Sequence, residues 1–184
     1  MSAFYTRKGD DGFTGMLGAG RIQKDDPRIE AVGAVDEATA AIGSARSICV
    51  APEISPILKQ VQQDLYSLMS EVVAAPENAA KFRGINDERV AWLEEQTQRI
   101  QDVVPVPKEF ILPGDYLSSG LLDMARTIVR RAERRVAALY HLNQLENIQV
   151  LRYLNRLSSL MFVLELREIQ ASGSSKPTLV ENSQ

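Results

Sequence analysis

Arg126, Arg130, Glu133 and Arg134 lie in one run, Met124-Ala125-Arg126-Thr127-Ile128-Val129-Arg130-Arg131-Ala132-Glu133-Arg134-Arg135. At 3.6 residues per turn these four fall on one flank of a helix. Guanidinium groups at helical neighbour spacing repel one another unless an anion sits among them. A basic run on an arbitrary helix is more often a solvated face, so the anion has to be indicated elsewhere in the chain. The N-terminal stretch indicates one. Up to Lys24 it carries Gly9, Gly12, Gly15, Gly18 and Gly20, interleaved with Thr6, Arg7, Lys8, Asp10, Asp11, Thr14 and Arg21. Glycine at this density means a backbone that turns repeatedly, with N–H groups free to point at a ligand. A frayed terminus is the ordinary alternative, but a frayed tail has little use for threonines and basic residues set between glycines. No Gly-Lys-Ser/Thr closes the stretch and no strand precedes it, so it is not a Walker A loop. Loop and arginines together read as a site for one nucleotide triphosphate. They do not name a reaction.

Bulk properties narrow the field. The chain has 184 residues, 45% hydrophobic and 24% charged, with a formal net charge of −3. That fits one globular domain with a sizeable core. The slight acidity argues against nucleic acid as a partner, so the local basic run should hold something small. The single cysteine, Cys49, cannot form an internal disulfide and sits among apolar residues at a helix end, a packing position in a reducing compartment. No segment reaches the ~18 apolar residues of a membrane span, and Met1-Ser2-Ala3-Phe4-Tyr5 lacks an apolar signal core. A soluble, cytoplasmic protein is expected. The only histidine, His141, is placed in a surface loop. One histidine cannot build the paired Glu-x-x-His motifs of a ferritin-like di-metal centre.

The elements that must position these residues are helices. Asp26-Pro27 is a cap followed by proline in the first turn, opening helix one to about Val50, with Ile29, Val32, Val35, Ile42, Ala45 and Ile48 as its apolar stripe. Asp36, in the small-residue setting Gly33-Ala34-Val35-Asp36, must be exposed or paired. Helix two follows Ser55-Pro56 to about Ala75. Helix three runs from Asn86-Asp87 to about Val104, where Pro105 and Pro107 stop it. Phe110-Ile111-Leu112 is strand-like and leads through Pro113-Gly114-Asp115 to a turn and cap. Helix four, which carries the arginines, spans about Tyr116 to Leu139 with Leu117, Leu121, Leu122, Val129 and Val136 among its apolar residues. Helix five, after a connection over Tyr140 to Gln144, runs to about Ala171, with Arg152, Asn155 and Arg156 on a polar flank and Gly173 as its C′ residue. The reading is all-α: a five-helix bundle behind a glycine-rich N-terminal loop. A single domain covers 1–184, with the loop at 1–25, the bundle at 26–172 and a polar, disordered tail at 173–184.

Several stretches resemble one family. Tyr5-Thr6-Arg7-Lys8-Gly9-Asp10-Asp11-Gly12-Phe13-Thr14, then Lys24, then Ala34-Val35-Asp36-Glu37 with Ile42-Gly43, are similar to the opening of PduO-type ATP:cob(I)alamin adenosyltransferases. Phe110-Ile111-Leu112-Pro113-Gly114, the Ala125-to-Arg134 run and Tyr153-Leu154-Asn155-Arg156-Leu157-Ser158 resemble that family's later signatures, in the family's order. The resemblance implies transfer of the 5′-deoxyadenosyl group of ATP to the cobalt of cob(I)alamin, with release of triphosphate. A non-catalytic relative that carries or senses ATP or a corrinoid is the alternative.

It also implies roles. Thr6, Arg7, Lys8, Gly9, Asp10, Gly12, Thr14 and Gly15 match the loop that wraps the phosphates, and Lys24 its phosphate-contacting lysine. Arg130, Arg131, Glu133 and Arg134 match the helix-borne ATP contacts, and Asn155 the asparagine from the last helix. Phe110 matches the phenylalanine packed against the lower face of the corrin. Arg126 matches the arginine that pairs with the Val-Asp-Glu acid, here Asp36, across a subunit boundary. Arg130, Phe110, Arg126 and Asp36 are thus the expected catalytic set. The family implies a ferritin-like five-helix bundle and a homotrimer with sites between subunits. It also implies Mg²⁺ held mainly by ATP phosphates with Glu133 as a protein ligand, a cob(II)alamin reductase partner and an adenosylcobalamin-dependent enzyme downstream. The chain departs from the pattern at Asp115-Tyr116, where members often carry Gly-Ser, at Asp123, where they often carry histidine, and at Ala38-Thr39, where they often carry Leu-Asn. These changes bear on the corrinoid side more than on ATP.

Overall fold

A computed structural model describes residues 5–180. The chain forms a short hairpin, β1 (Phe13–Gly15) and β2 (Arg21–Gln23), followed by α1 (Pro27–Arg46), α2 (Ile54–Val73), α3 (Asp87–Gln101), α4 (Leu117–His141) and α5 (Ile148–Ala171). A single 3₁₀ turn, Ala79–Phe82, interrupts the connection after α2. The all-α five-helix bundle is as expected. Its helices pack in the lateral order α2, α1, α4, α5, α3, so α4 is the central element, flanked by α1 and α5.

The ends of the helices follow capping chemistry. Asp26 accepts from the Arg28 N–H at 2.8 Å, with Pro27 at the first helical position. Asn86 accepts from the Arg89 N–H at 3.0 Å. Asn147 caps α5 by accepting from Gln149 at 3.1 Å, and its amide donates to Glu71 and to the Ile85 carbonyl. At α4 the cap is Tyr116 rather than Asp115: the Tyr116 N–H donates to Ser119 Oγ at 3.2 Å. Gly173 adopts φ +108 after α5, the left-handed C′ conformation that glycine favours.

Three expectations need correction. Ile48 lies beyond the end of α1 and is 38% exposed, so it is not part of that helix's apolar stripe. The buried stripe of α1 is Ala31, Val35, Ala38, Ile42 and Ala45, residues small enough to let α4 approach closely. His141 is the last residue of α4, not a loop residue. The tail is not structureless through residue 180. The Leu112 N–H donates to the Thr178 carbonyl and the Val180 N–H to the Phe110 carbonyl, both at 2.8 Å. Asp115 accepts from the Thr178 N–H at 2.9 Å and from its hydroxyl at 2.6 Å. Residues 181–184 lie outside the described part of the chain.

Buried polar groups tie the bundle together. Asp64 of α2 takes the Tyr153 hydroxyl of α5 at 2.8 Å, the Arg89 guanidinium of α3 at 2.6 Å and the Gln60 amide at 3.1 Å. Burial and the Asp64 charge push the Tyr153 phenol well above its ordinary range, so it stays a donor. Tyr153→Phe leaves Asp64 short of one partner in a dry site and should cost about 1–3 kcal/mol, read as a lower denaturant midpoint with the site's ligand affinities unchanged. Arg28, also buried, donates to the Val72 carbonyl at 2.6 Å and the Gln144 carbonyl at 2.7 Å. Glu168 is satisfied by the Val50 and Ala51 N–H groups, at 2.9 and 3.1 Å. Cys49 is half-buried beside that carboxylate, and burial, with the Glu168 charge, pushes its thiol up to about 12.

Candidate active site

The glycine-rich stretch is a folded hairpin with one open face. β1 and β2 pair antiparallel, Thr14 opposite Ile22 and Gly15 opposite Arg21. Arg21 is the clamp: it donates to Asp11 at 2.7 and 2.8 Å and also reaches the Lys8 and Phe13 carbonyls. The Arg21 hydrogen bond, and then the Phe13 N–H, pull the Asp11 carboxyl down to about 2. Lys24 crosses the mouth of the loop, its Nζ donating to the Gly9 carbonyl at 2.8 Å. A Cβ on Gly9 would meet that ammonium at 2.9 Å, so a side chain there would push the Lys24 head aside. At the far tip Gly18 has φ +131, and a Cβ would meet the Asn78 amide at 2.3 Å. The tip is sewn to the end of α2, with the Leu17 N–H donating to the Val73 carbonyl and the Ala75 N–H to the Leu17 carbonyl. Arg7 adds a left-handed φ of 59 and lies over the Tyr5 ring.

The hairpin encloses a depression of about 570 Å³ lined by Thr6, Lys8, Gly9, Thr14, Gly15 and Lys24, within the ~300–1,000 Å³ that small-ligand sites occupy. Lys24 also borders a second depression, with Glu37 of α1 and Arg131 and Arg135 of α4. Arg131 forms an ion pair with Glu37 at that rim. Thus Lys24 joins the loop to the Arg131 side of α4. Asp10 and Gly12 lie at the turn of the same loop, Gly12 with φ +80.

The other arginines face the opposite neighbour, α5. Arg126 and Arg130 border a hollow with Ser158, Ser159 and Phe162. Glu133 accepts from the Asn155 amide at 3.0 Å, so the two residues expected at ATP meet across α4 and α5. Arg134 donates to the Arg130 carbonyl at 3.1 Å. The Arg130 guanidinium has no hydrogen-bond partner among the described residues. Consecutive helical residues point about 100° apart, which is why Arg130 and Arg131 serve different hollows. Within one chain, therefore, the expected site residues form two groups on two sides of α4.

Phe110 is 87% exposed, a large aromatic ring held by its backbone bond to Val180. Asp36 is exposed, borders an apolar groove with Ile29, Val32, Tyr66 and Met69, and has no ion-pair partner among the described residues. Arg126 does not reach Asp36 within the chain. Its Nε donates to Asp123, one turn earlier, at 2.7 Å. Both departures from the family pattern on this side thus have local partners, Asp123 with Arg126 and Asp115 with Thr178. Sequence reasoning missed the Asp11–Arg21 clamp, whose only signal was an opposite charge at the two ends of a glycine-rich stretch.

Comparison with known proteins fits this arrangement. The family described as Cobalamin adenosyltransferase matches residues 4–168. A corrinoid adenosyltransferase of Mycobacterium bovis is 38% identical over 171 residues, covering 89% of this chain and 87% of that protein. The corrinoid adenosyltransferase PduO of Citrobacter freundii is 36% identical over 171 residues, covering 90% of this chain but 50% of that protein, so the chain spans about half its length. Among solved structures, a phenylalanine-to-alanine variant of the PduO-type ATP:corrinoid adenosyltransferase from Lactobacillus reuteri, complexed with cobalamin and ATP, superposes with a TM-score of 0.90 at 32% identity, covering 98% of this chain and 100% of that one. An arginine-to-lysine variant of the same enzyme, complexed with ATP, gives 0.88 at 32% identity over 97% of this chain and 100% of that one. The chain belongs to the cobalamin adenosyltransferase family.

Proposed function

We propose that this protein transfers the 5′-deoxyadenosyl group of ATP to the cobalt of cob(I)alamin. The observation that carries the reading is a basic, glycine-rich hollow that Lys24 joins to the Arg131 side of α4, together with an aromatic ring, Phe110, held in the open before the start of that helix. Cobalt(I) donates its electron pair to C5′, the C5′–oxygen bond breaks, and the triphosphate leaves with that bond's pair. The nucleophile is intrinsically strong, so the protein's tasks are to fix C5′ in line and to stabilise the leaving charge. Thr6, Arg7, Lys8, Gly9, Asp10, Gly12, Thr14 and Gly15 form the cradle, and Lys24, Arg130, Arg131 and Arg134 supply the cations. Glu133 and Asn155, already joined, hold the nucleotide from α5's side. Phe110 forms an apolar wall under the corrin that excludes a lower axial ligand and eases reduction of cobalt(II).

The two groups of site residues are completed across a subunit boundary in a homotrimer. An Asp36 with no ion-pair partner among the described residues, beside an apolar groove, and an Arg126 with N–H donors unused by those residues support that reading. The donor set suits Mg²⁺ bound mainly through phosphate oxygens: among the described residues no cluster of three or more histidine, cysteine or acidic side chains could hold a metal, and Glu133 is the one acid among the α4 contacts. Bound there, Mg²⁺ would neutralise part of the triphosphate charge. No described helix is long and apolar enough to cross a membrane, and a cytoplasmic site of action fits a reaction that needs a cob(II)alamin reductase and an adenosylcobalamin-dependent acceptor enzyme. Asp115 and Asp123, the departures on the corrinoid side, each have a structural partner, Thr178 and Arg126.

Incubation with MgATP and chemically reduced cob(I)alamin should produce the absorption spectrum of adenosylcobalamin and one triphosphate per turnover. Nucleotide binding with neither product would sink the proposal.

A further inference from the structure

Arg28 is a buried cation whose partners, among the described residues, are all main-chain carbonyls. From the first turn of α1 its guanidinium donates to Val72 at 2.6 Å, to Gln144 at 2.7 Å and, more loosely, to Ala74 at 3.5 Å. Val72 and Ala74 close α2, where the last carbonyls have no partner inside the helix, and a cation beside that end is favourable. Capping alone would account for an arginine there. The same backbone, however, is also the dock of the hairpin. The Val73 carbonyl accepts from the Leu17 N–H at 3.3 Å, and the Ala75 N–H donates to the Leu17 carbonyl at 3.1 Å. Between them Ala74 is extended, with φ −66 and ψ 142, and pairs with Leu17 as a parallel bridge. Along residues 72–75 the bonds therefore alternate, Arg28 on one edge and Leu17 on the other. Gln144 belongs to the connection between α4 and α5, so the same guanidinium ties this dock to the helix that carries Arg130, Arg131 and Arg134.

We infer that Arg28 is a positioning residue for ATP, acting through the backbone on which the hairpin is docked. The inference rests on the reading of the hairpin hollow as the triphosphate site. Among the described residues, the two Leu17 bonds are the only hydrogen bonds between residues 5–23 and the helices with their connections. The clamp of Arg21 on Asp11 keeps the hairpin folded, but it does not place the hairpin against the bundle. The Arg28 fork does: Val72 and Ala74 fix the edge that receives Leu17, and Gln144 fixes that edge relative to α4. A planar guanidinium holds several acceptors in one rigid geometry, whereas lysine offers a mobile point charge. Thr14 and Gly15, just before Leu17 in the chain, line the hollow. Undocking the tip therefore shifts the phosphate cradle relative to the α4 cations while leaving each part intact. The loss falls on ATP affinity. Phe110 is held by Val180 instead, so the corrin side is unaffected.

Titration calorimetry of the full chain with MgATP tests this on wild type, Arg28→Met, Arg28→Lys, Gly18→Ala and Lys24→Ala. Gly18→Ala attacks the dock from the hairpin's side, since Gly18 has φ +131 and a Cβ there meets Asn78 at 2.3 Å and Ala75 at 3.0 Å. Arg28→Met should weaken MgATP binding about tenfold or more, the scale of a lost charge-assisted hydrogen bond, with Arg28→Lys between it and wild type. Gly18→Ala should weaken binding to a similar extent, and hydrogen exchange at the Leu17 amide should quicken in all three. The double variant Arg28→Lys, Gly18→Ala should bind no more weakly than the worse single one, because both act by the same undocking. A merely structural Arg28 would lower the melting temperature and leave MgATP affinity where it was. Wild-type affinity in Arg28→Met, or additive losses in the double variant, overturns the inference. Where Arg28→Met fails to fold, Gly18→Ala still decides, since wild-type affinity there overturns it equally. Lys24→Ala separates the two readings. If it binds MgATP like wild type, the hollow is not the triphosphate site and the inference falls with that reading. If it weakens binding while Arg28→Met does not, the inference alone fails.

Discussion

Arg130→Ala should reduce turnover by about 10²–10³-fold, the loss expected when one donor to developing negative charge is removed. The fold gives the variant a clean background. The Arg130 side chain is exposed, and among the described residues the only intramolecular bond the residue lends beyond the helix's own is through its carbonyl, which Arg134 contacts at 3.1 Å. That carbonyl survives the substitution. The melting temperature should hold within a degree or two, as for exposed positions in general. Arg130→Lys keeps a charge but not the planar fork that can grip two phosphate oxygens at once, so it should recover only part of the rate. Rates of adenosylcobalamin formation, with saturating and with limiting ATP, separate lost binding from lost transition-state stabilisation. Activity within about threefold of wild type, under ~1 kcal/mol of transition-state stabilisation, would mean that this face of α4 is not where the triphosphate leaves.

Phe110→Ala should act on the other substrate. A phenylalanine ring left 87% exposed contributes almost nothing to the fold, and its backbone pairing with Val180 does not need the ring. ATP affinity should therefore be unchanged. Removing the wall admits water or an axial ligand to the lower face of the corrin, so cobalt(II) becomes harder to reduce. Burial of a ring this size against a ligand is worth about 1.5–3 kcal/mol, which translates to roughly 10–100-fold in the reduction-coupled rate. Starting from pre-reduced cob(I)alamin should restore most of the loss. A variant equally slow with pre-reduced substrate would place Phe110 in the transfer step instead.

What the sequence made legible follows from the range of the forces involved. Helices of 15 to 25 residues repeat their apolar pattern several times, and caps such as Asp26 and Asn86 act within one turn, so α1 to α5 could be read to within a few residues. The hairpin escaped because strands of three residues are too short to show alternation. The segment at residues 174–180 looked disordered on composition, yet two backbone bonds and the Asp115–Thr178 contacts fix it. Those partners are 63 or more residues apart in sequence, where composition carries no signal. The same limit hid the Asp64 hub, since burial of an acid is decided by helices elsewhere in the chain. The residues proposed for the site were readable as types on faces. Their division between two sides of α4 was not, because it depends on which neighbour each face meets.

Cys49 has a practical consequence. It is the only cysteine in the chain, and a thiol pushed up to about 12 is almost entirely protonated at working pH. Because the thiolate is the species that alkylates, at about pH 8 only one part in ~10⁴ of Cys49 would be reactive. A single cysteine added on the surface would then outcompete it, with no need to remove the native one. Ser175→Cys, exposed on the segment that runs back beside Phe110, would carry a fluorophore to the rim of the proposed corrin face. Corrins absorb visible light strongly, so quenching of that dye would report occupancy in real time, on an otherwise native background.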